Sequence, residues 1–147
     1  MSLFTTLSVA ASGMAAQRTR AEVLAENLAN ADTTRTPDGG PYRRKDVVFE
    51  PQSGTTSPFA GLLAEQLGDG GTGVAATAIL VDEGEPNRRY SPGHPDADKD
   101  GYVAMPRVNP TEEMVDLMGA SRGYQANVAA FSAAKEMIHR SIDLLKA

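Results

Sequence analysis

The chain has 147 residues, a mass of 15.5 kDa and a net charge of −5 from 19 acids against 14 bases. That length holds one modest domain, or a small domain with long helical extensions, and the acidic balance excludes a generic nucleic-acid binder, whose footprint is basic. The absence of cysteine excludes disulfides and thiolate chemistry, while four Phe, four Tyr and no Trp leave Ala and Gly to supply much of the apolar count.

The N-terminal zone, residues 2–31, reads as a helix. Leu3, Leu7, Ala10, Met14, Gln17, Ala21, Leu24, Leu28 and Ala31 alternate spacings of four and three, the rhythm of a coiled-coil seam. Ser2 is its expected N-cap. A second row, Ala21-Ala25-Ala29, is small enough for another helix to approach closely. The segment has no basic leader, continuous apolar core or clear cleavage site, so no cleaved signal peptide is expected. No apolar run in the chain approaches the ~20 residues that span a bilayer. Thr33, Thr34 and Pro37 end the helix, and Asp38-Gly39-Gly40-Pro41 is a turn.

The middle zone, 42–107, is rich in Gly, Pro and turn residues and reads as a small β-rich module. Its expected strands are Val47-Val48-Phe49, Val74 to Val81 and Tyr102-Val103-Ala104. Phe59 to Leu67 is a short helix candidate within a Gly-rich flexible loop, 53–73, and Pro86-Asn87 is a turn.

The last zone repeats the helical rhythm. Met114, Leu117, Ser121, Tyr124, Val128, Phe131, Lys135, Ile138, Ile142 and Leu145 form its row. Asn109 is the N-cap and Pro110 the first helical residue. A helix over 110–146 is about 55 Å long at ~1.5 Å per residue, too long to be covered by this chain's own middle zone. Gly13, Gly119 and Gly123 each weaken a helix by roughly 1 kcal/mol relative to Ala, so they read as points of close approach, and both helices as loose until they assemble. The architecture expected is α+β: long N- and C-terminal helices packing as a coiled-coil-like pair, with zones 1–34, 35–107 and 108–147.

Several patterns imitate chemistry. Asp96-x-Asp98-x-Asp100-Gly101 matches half of a calcium loop and supports an alternative reading as a calcium-binding interaction module. The twelfth position of that loop is Arg107, where a bidentate carboxylate is needed, and Pro106 blocks the exit helix. Gly119-Ala120-Ser121-Arg122-Gly123 fits a nucleophile elbow in letters only, because the serine lies in a helical pattern with no strand before it. Gly68 to Gly73 fits a dinucleotide fingerprint but precedes a strand instead of opening a helix. His94 and His139 have no metal spacing. No catalytic residue, metal or cofactor is therefore assigned. Asn27, Asn30, Gln125 and Asn127 are open between two readings: exposed positions, or amides bonded between helices to fix register.

Two pairs of terminal segments carry a family resemblance. They are Ala10-Ala11-Ser12-Gly13-Met14 with Asn27-Leu28-Ala29-Asn30-Ala31-Asp32-Thr33-Thr34, and Val108-Asn109-Pro110-Thr111-Glu112-Glu113-Met114-Val115 with Ala120-Ser121-Arg122-Gly123-Tyr124-Gln125-Ala126-Asn127. Together they resemble the bacterial flagellar rod and hook family. The short middle zone, with Gly40-Pro41-Tyr42-Arg43-Arg44-Lys45 and Gly93-His94-Pro95-Asp96-Ala97-Asp98, is similar to its proximal-rod members. The resemblance implies a structural, non-enzymatic subunit of the basal-body rod, the drive shaft that crosses the periplasm. It implies export through the flagellar type III apparatus without a cleaved signal peptide. The implied partners are other rod proteins, copies of itself and the basal-body adaptor, with no nucleic acid and no membrane span. The expected subunit-packing residues are Leu3, Leu7, Met14, Leu24, Leu28, Asn30, Met114, Leu117, Tyr124, Asn127, Val128, Phe131, Ile138, Ile142 and Leu145.

Overall fold

The computed structural model describes residues 3–52 and 73–146, the side chains of Phe4, Leu145 and Lys146 excepted. The fold is α+β. Helix α1 covers Leu3–Ala29, strands β1 to β4 cover Lys45–Gln52, Gly73–Val81, Asn87–Tyr90 and Tyr102–Met105, and helix α2 covers Pro110–Lys146. The two terminal helices pack together, and the strands form two small antiparallel sheets, β1 with β2 and β3 with β4. Ser2, the Phe59–Leu67 helix candidate and all but the last residue of the 53–73 loop lie outside the described residues.

Local chemistry explains the boundaries. At the end of α1, Asn30 turns its amide back on Glu26 O (2.9 Å) and accepts the Thr33 hydroxyl at 3.1 Å. Gly39 and Gly40 follow at φ +87° and +77°, a left-handed pair that only glycine adopts at little cost. Helix α2 starts where Asn109 Oδ1 accepts the Thr111 amide at 3.1 Å, with Pro110 as first residue. Strand β3 was not expected: Asn-Arg-Arg-Tyr reads as turn and charge, and all four residues are exposed. Pairing creates it. Its ladder runs from Asn87 opposite Met105 to Tyr90 opposite Tyr102, and those tyrosines meet edge to face at 5.3 Å.

The chain divides into two compact units. The first comprises 1–19, 49–77 and 120–147; the second comprises 20–48 and 78–119. In the first, the start of β2 lies against α1, where the Val74 amide donates to Ser12 Oγ (3.1 Å), which itself donates to Val9 O (2.7 Å). A Cβ on Gly73 would sit 2.5 Å from that hydroxyl, so glycine is required by the contact. In the second, buried Val103 of β4, Val23 and Leu24 of α1, and Tyr42 form the apolar interior. Among the described residues the core is small, as the shortage of large side chains predicts.

Candidate assembly surface

The helices meet along a face of small and polar residues. In the first unit, Gly13 lies against Asn127, and a Cβ there would stand 2.7 Å from Asn127 Oδ1. Gly123 lies against Gln17 at 3.1 Å on the same measure, and Asn127 Nδ2 donates to Gly123 O at 2.9 Å. Residue numbers rise along α1 as they fall along α2, so the packing is antiparallel. Gly13 and Gly123 are thus close-approach points. Gly119 is not: nothing lies within 4 Å of its would-be Cβ.

In the second unit, the same pairing ends in a buried polar lock. Asn27 is fully buried. Its Nδ2 donates to Lys45 O (2.8 Å) and Glu113 Oε2 (3.1 Å), and its Oδ1 accepts from Tyr42 OH (2.9 Å) and Lys45 N (2.9 Å). Both amide hydrogens and both acceptor positions are used. Glu113, 1% exposed, takes Arg44 Nε on its other oxygen at 2.6 Å. Arg44 also bonds Asp46, and Lys45 bonds Glu26 at 2.6 Å. Nearer the middle of the helices, Arg20 faces Asp116 at 3.9 Å. Burial alone would lower the Arg44 pKa, but the Glu113 hydrogen bond and the charges of Asp46 and Glu113 outweigh it and hold the guanidinium charged. Burial, with Glu26 and Glu113 nearby, pushes the Tyr42 phenol up to about 12 and keeps it a donor.

The four open amides therefore separate. Asn27 ties α1 to β1 and α2; Asn30 closes its own helix; Asn127 sits in the helix contact; Gln125 is exposed. Sequence reasoning missed Tyr42, Arg44, Lys45 and Glu113, which lie in loop, strand and a helical first turn. The available signal was polar: Gly13, Gln17, Arg20, Leu24 and Asn27 share the three-four spacing of the apolar row.

The expected packing residues fall in three groups. Leu24 is buried, and Leu7, Met14, Leu28, Asn30, Leu117, Asn127, Phe131 and Ile138 are half-buried. Leu3, Met114, Tyr124, Val128 and Ile142 are exposed. The side chain of Leu145 lies outside the described residues. Within this chain the covered face of α2 instead runs through Glu113, Leu117, Ala120, Asn127, Phe131, Ala134 and Ile138, with Ala120 and Ala134 each 1% exposed. Small side chains take the inner positions because the helices approach too closely for large ones.

The patterns that imitate chemistry resolve structurally. Asp96 is held by Arg35 (2.8 Å) and Thr34 (2.8 Å), and Asp98 Oδ1 accepts the amides of Asp100 (3.0 Å) and Tyr102 (2.8 Å). Arg107 reaches Asp82 at 3.3 Å. The acidic segment is a turn closed by Gly101 at φ +82°, and among the described residues no three ligating side chains gather around a metal position. Ser121 is exposed inside α2, His139 is exposed, and His94 Nδ1 accepts the Asp96 amide at 3.1 Å. Among the described residues no helix is long and apolar enough to cross a membrane.

Comparison with known proteins gives one consistent likeness. Residues 7–35 match the family described as flagella basal body rod protein, and 99–144 match the C-terminal family of the flagellar basal body rod FlgEFG proteins. The chain is similar to the flagellar basal-body rod protein FlgC of Borreliella burgdorferi, 40% identical with 99% of both chains covered. It is equally similar to FlgC of Bacillus subtilis, 40% identical over 99% of this chain and all of the relative. With FlgC of Salmonella typhimurium it is 38% identical over 98% of each.

Proposed function

From the premise that the chain belongs to the flagellar basal-body rod protein family, we propose that it is a structural subunit of the proximal rod, joined to other rod proteins and to copies of itself through its terminal helices. The observation that carries the reading is identity near 40% over essentially the whole of both chains. The reading assigns transmission of torque and no catalytic step. Further partners are the adaptor beneath the rod and the export apparatus, with passage out of the cell requiring no cleaved signal peptide. The terminal segments 1–34 and 108–147 serve assembly, and 35–107 lies outside the tube they build.

Physical chemistry supports this division of labour. Helix α2 leaves Met114, Val115, Met118, Tyr124, Val128, Met137, Ile142 and Leu144 at 40% exposure or more. Each such side chain is already partly covered, so a neighbour that covers it fully adds about half or more of the roughly 1.5–3 kcal/mol that burial from full exposure gives, a gain realised only in the polymer. Charge follows the two compact units and not these three segments. The unit containing both chain ends has five bases and five acids, and the other has nine bases and fourteen acids. Copies can stack through the neutral unit without net repulsion, while the acidic one stays hydrated.

Deletion and complementation test the proposal. A strain lacking the gene is expected not to swim and to show no completed rod by electron microscopy, with both restored by the gene in trans. Normal rods in the deletion strain would refute it.

A further inference from the structure

Beyond the covered face of α2 runs a second row at helical spacing: Ala126, Ala130, Ala133, Met137, Arg140 and Leu144. All six are exposed, Met137 at 49% and Leu144 at 79%. Its last two turns present a cation flanked by two large apolar side chains. Arg140 is free to engage elsewhere, because its contact to Glu136 is 3.7 Å long and both side chains are more than 70% exposed.

The same compact unit contains a groove of complementary character. About 570 Å³ in volume, it is lined by Val9, Ala16, Phe49, Pro51 and Val74 with Glu50 at its wall. Glu50 is exposed, and its carboxylate has no ion pair or hydrogen bond among the described residues. Gln17 also lines the groove, and its Oε1 is buried with no hydrogen-bond partner among the described residues. An apolar cleft whose carboxylate and buried acceptor are both unpartnered among the described residues is suited to receive donors and hydrocarbon.

We infer that the occupant is a second copy of this chain: the Met137–Arg140–Leu144 face of one copy enters the groove of the next, with Arg140 against Glu50. The inference rests on the rod reading and adds the contact itself. Charge complementarity selects the copy, since the groove offers acceptors and an anion, and the helix end offers a cation between apolar groups. Groove and helix end are different surfaces, so the contact is head-to-tail. Such an interface leaves each copy able to accept another and builds rings or helical polymers rather than closed pairs.

The test uses charge reversal and cross-linking in a strain lacking the chromosomal gene. Wild-type complementation must first restore swimming; failure there would strike the rod reading and not this contact. Glu50→Arg and Arg140→Glu are each expected to cut the swimming fraction at least about tenfold, through like-charge juxtaposition in the groove, and the double variant to regain it. Because the chain has no cysteine, co-expressed Glu50→Cys and Arg140→Cys variants report a copy-to-copy contact directly: oxidised basal bodies are expected to yield a dimer that neither variant yields alone. Full swimming in both single reversals overturns the inference. Loss without recovery in the double variant, together with no dimer, also overturns it and places a different rod protein in the groove.

Discussion

Replacement of Asn27 by alanine removes a side chain that makes four hydrogen bonds in a fully buried position. At a net ~1 kcal/mol per bond, the expected loss is about 4 kcal/mol. Arg44 still serves Glu113, but the Lys45 amide and carbonyl and the Tyr42 hydroxyl lose their partner where water does not reach freely. In a domain of this size ~1 kcal/mol moves Tm by roughly 3–4 °C, so Asn27→Ala should melt more than about 10 °C below wild type. Urea unfolding followed by circular dichroism measures the free energy, provided the slope stays unchanged. A double-mutant cycle with Glu113→Gln isolates the network, with an expected coupling of about 0.5–3 kcal/mol. Gln125→Ala, at an exposed position, is the control and should stay within about 0.5 kcal/mol of wild type. If Asn27→Ala unfolds at the wild-type midpoint, the lock between α1, β1 and α2 does not exist.

The glycines predict opposite outcomes. Gly119→Ala meets open space and should stabilise the protein by roughly 0.5–1 kcal/mol in thermal unfolding, whereas Gly13→Leu displaces Asn127 and should destabilise it by roughly 1–3 kcal/mol; equal effects would contradict the packing. Tyr42, with its pKa raised from 10.0 to about 12, keeps its proton in the folded state when the unfolded chain has lost it. Its stabilisation, up to ~3 kcal/mol, is therefore complete below pH 10 and fades as pH rises toward 12; absorbance titration should find one of the four tyrosines ionising late. Hydrogen exchange on the isolated chain should be fast across α2 beyond Ala134, where exposed side chains predominate, and slow in assembled rods; equal protection would argue against assembly-coupled ordering.

The sequence by itself determined both long helices, because a three-four rhythm over many turns, capped by Asn109-Pro110 and closed at Asn30, has no other regular solution. It determined β1, β2 and β4 for a similar reason: short β-branched runs bounded by turn residues have few alternatives. The terminal motifs also carried the family. Tertiary structure decided what periodicity cannot encode. A helix has several rows at the same spacing, and hydrophobicity favours the row with the largest side chains. Here close approach modifies that choice, turning Gly13, Gln17, Asn27, Ala120, Gly123 and Asn127 inward beside Leu24, Leu117, Phe131 and Ile138, and leaving Met114, Tyr124, Val128 and Ile142 facing out within this chain. Strand β3 and the Asn27 lock are likewise properties of distant partners: Arg88 becomes a strand residue only opposite Ala104, and Asn27 becomes a buried residue only where Tyr42, Lys45 and Glu113 can satisfy every polar atom it carries.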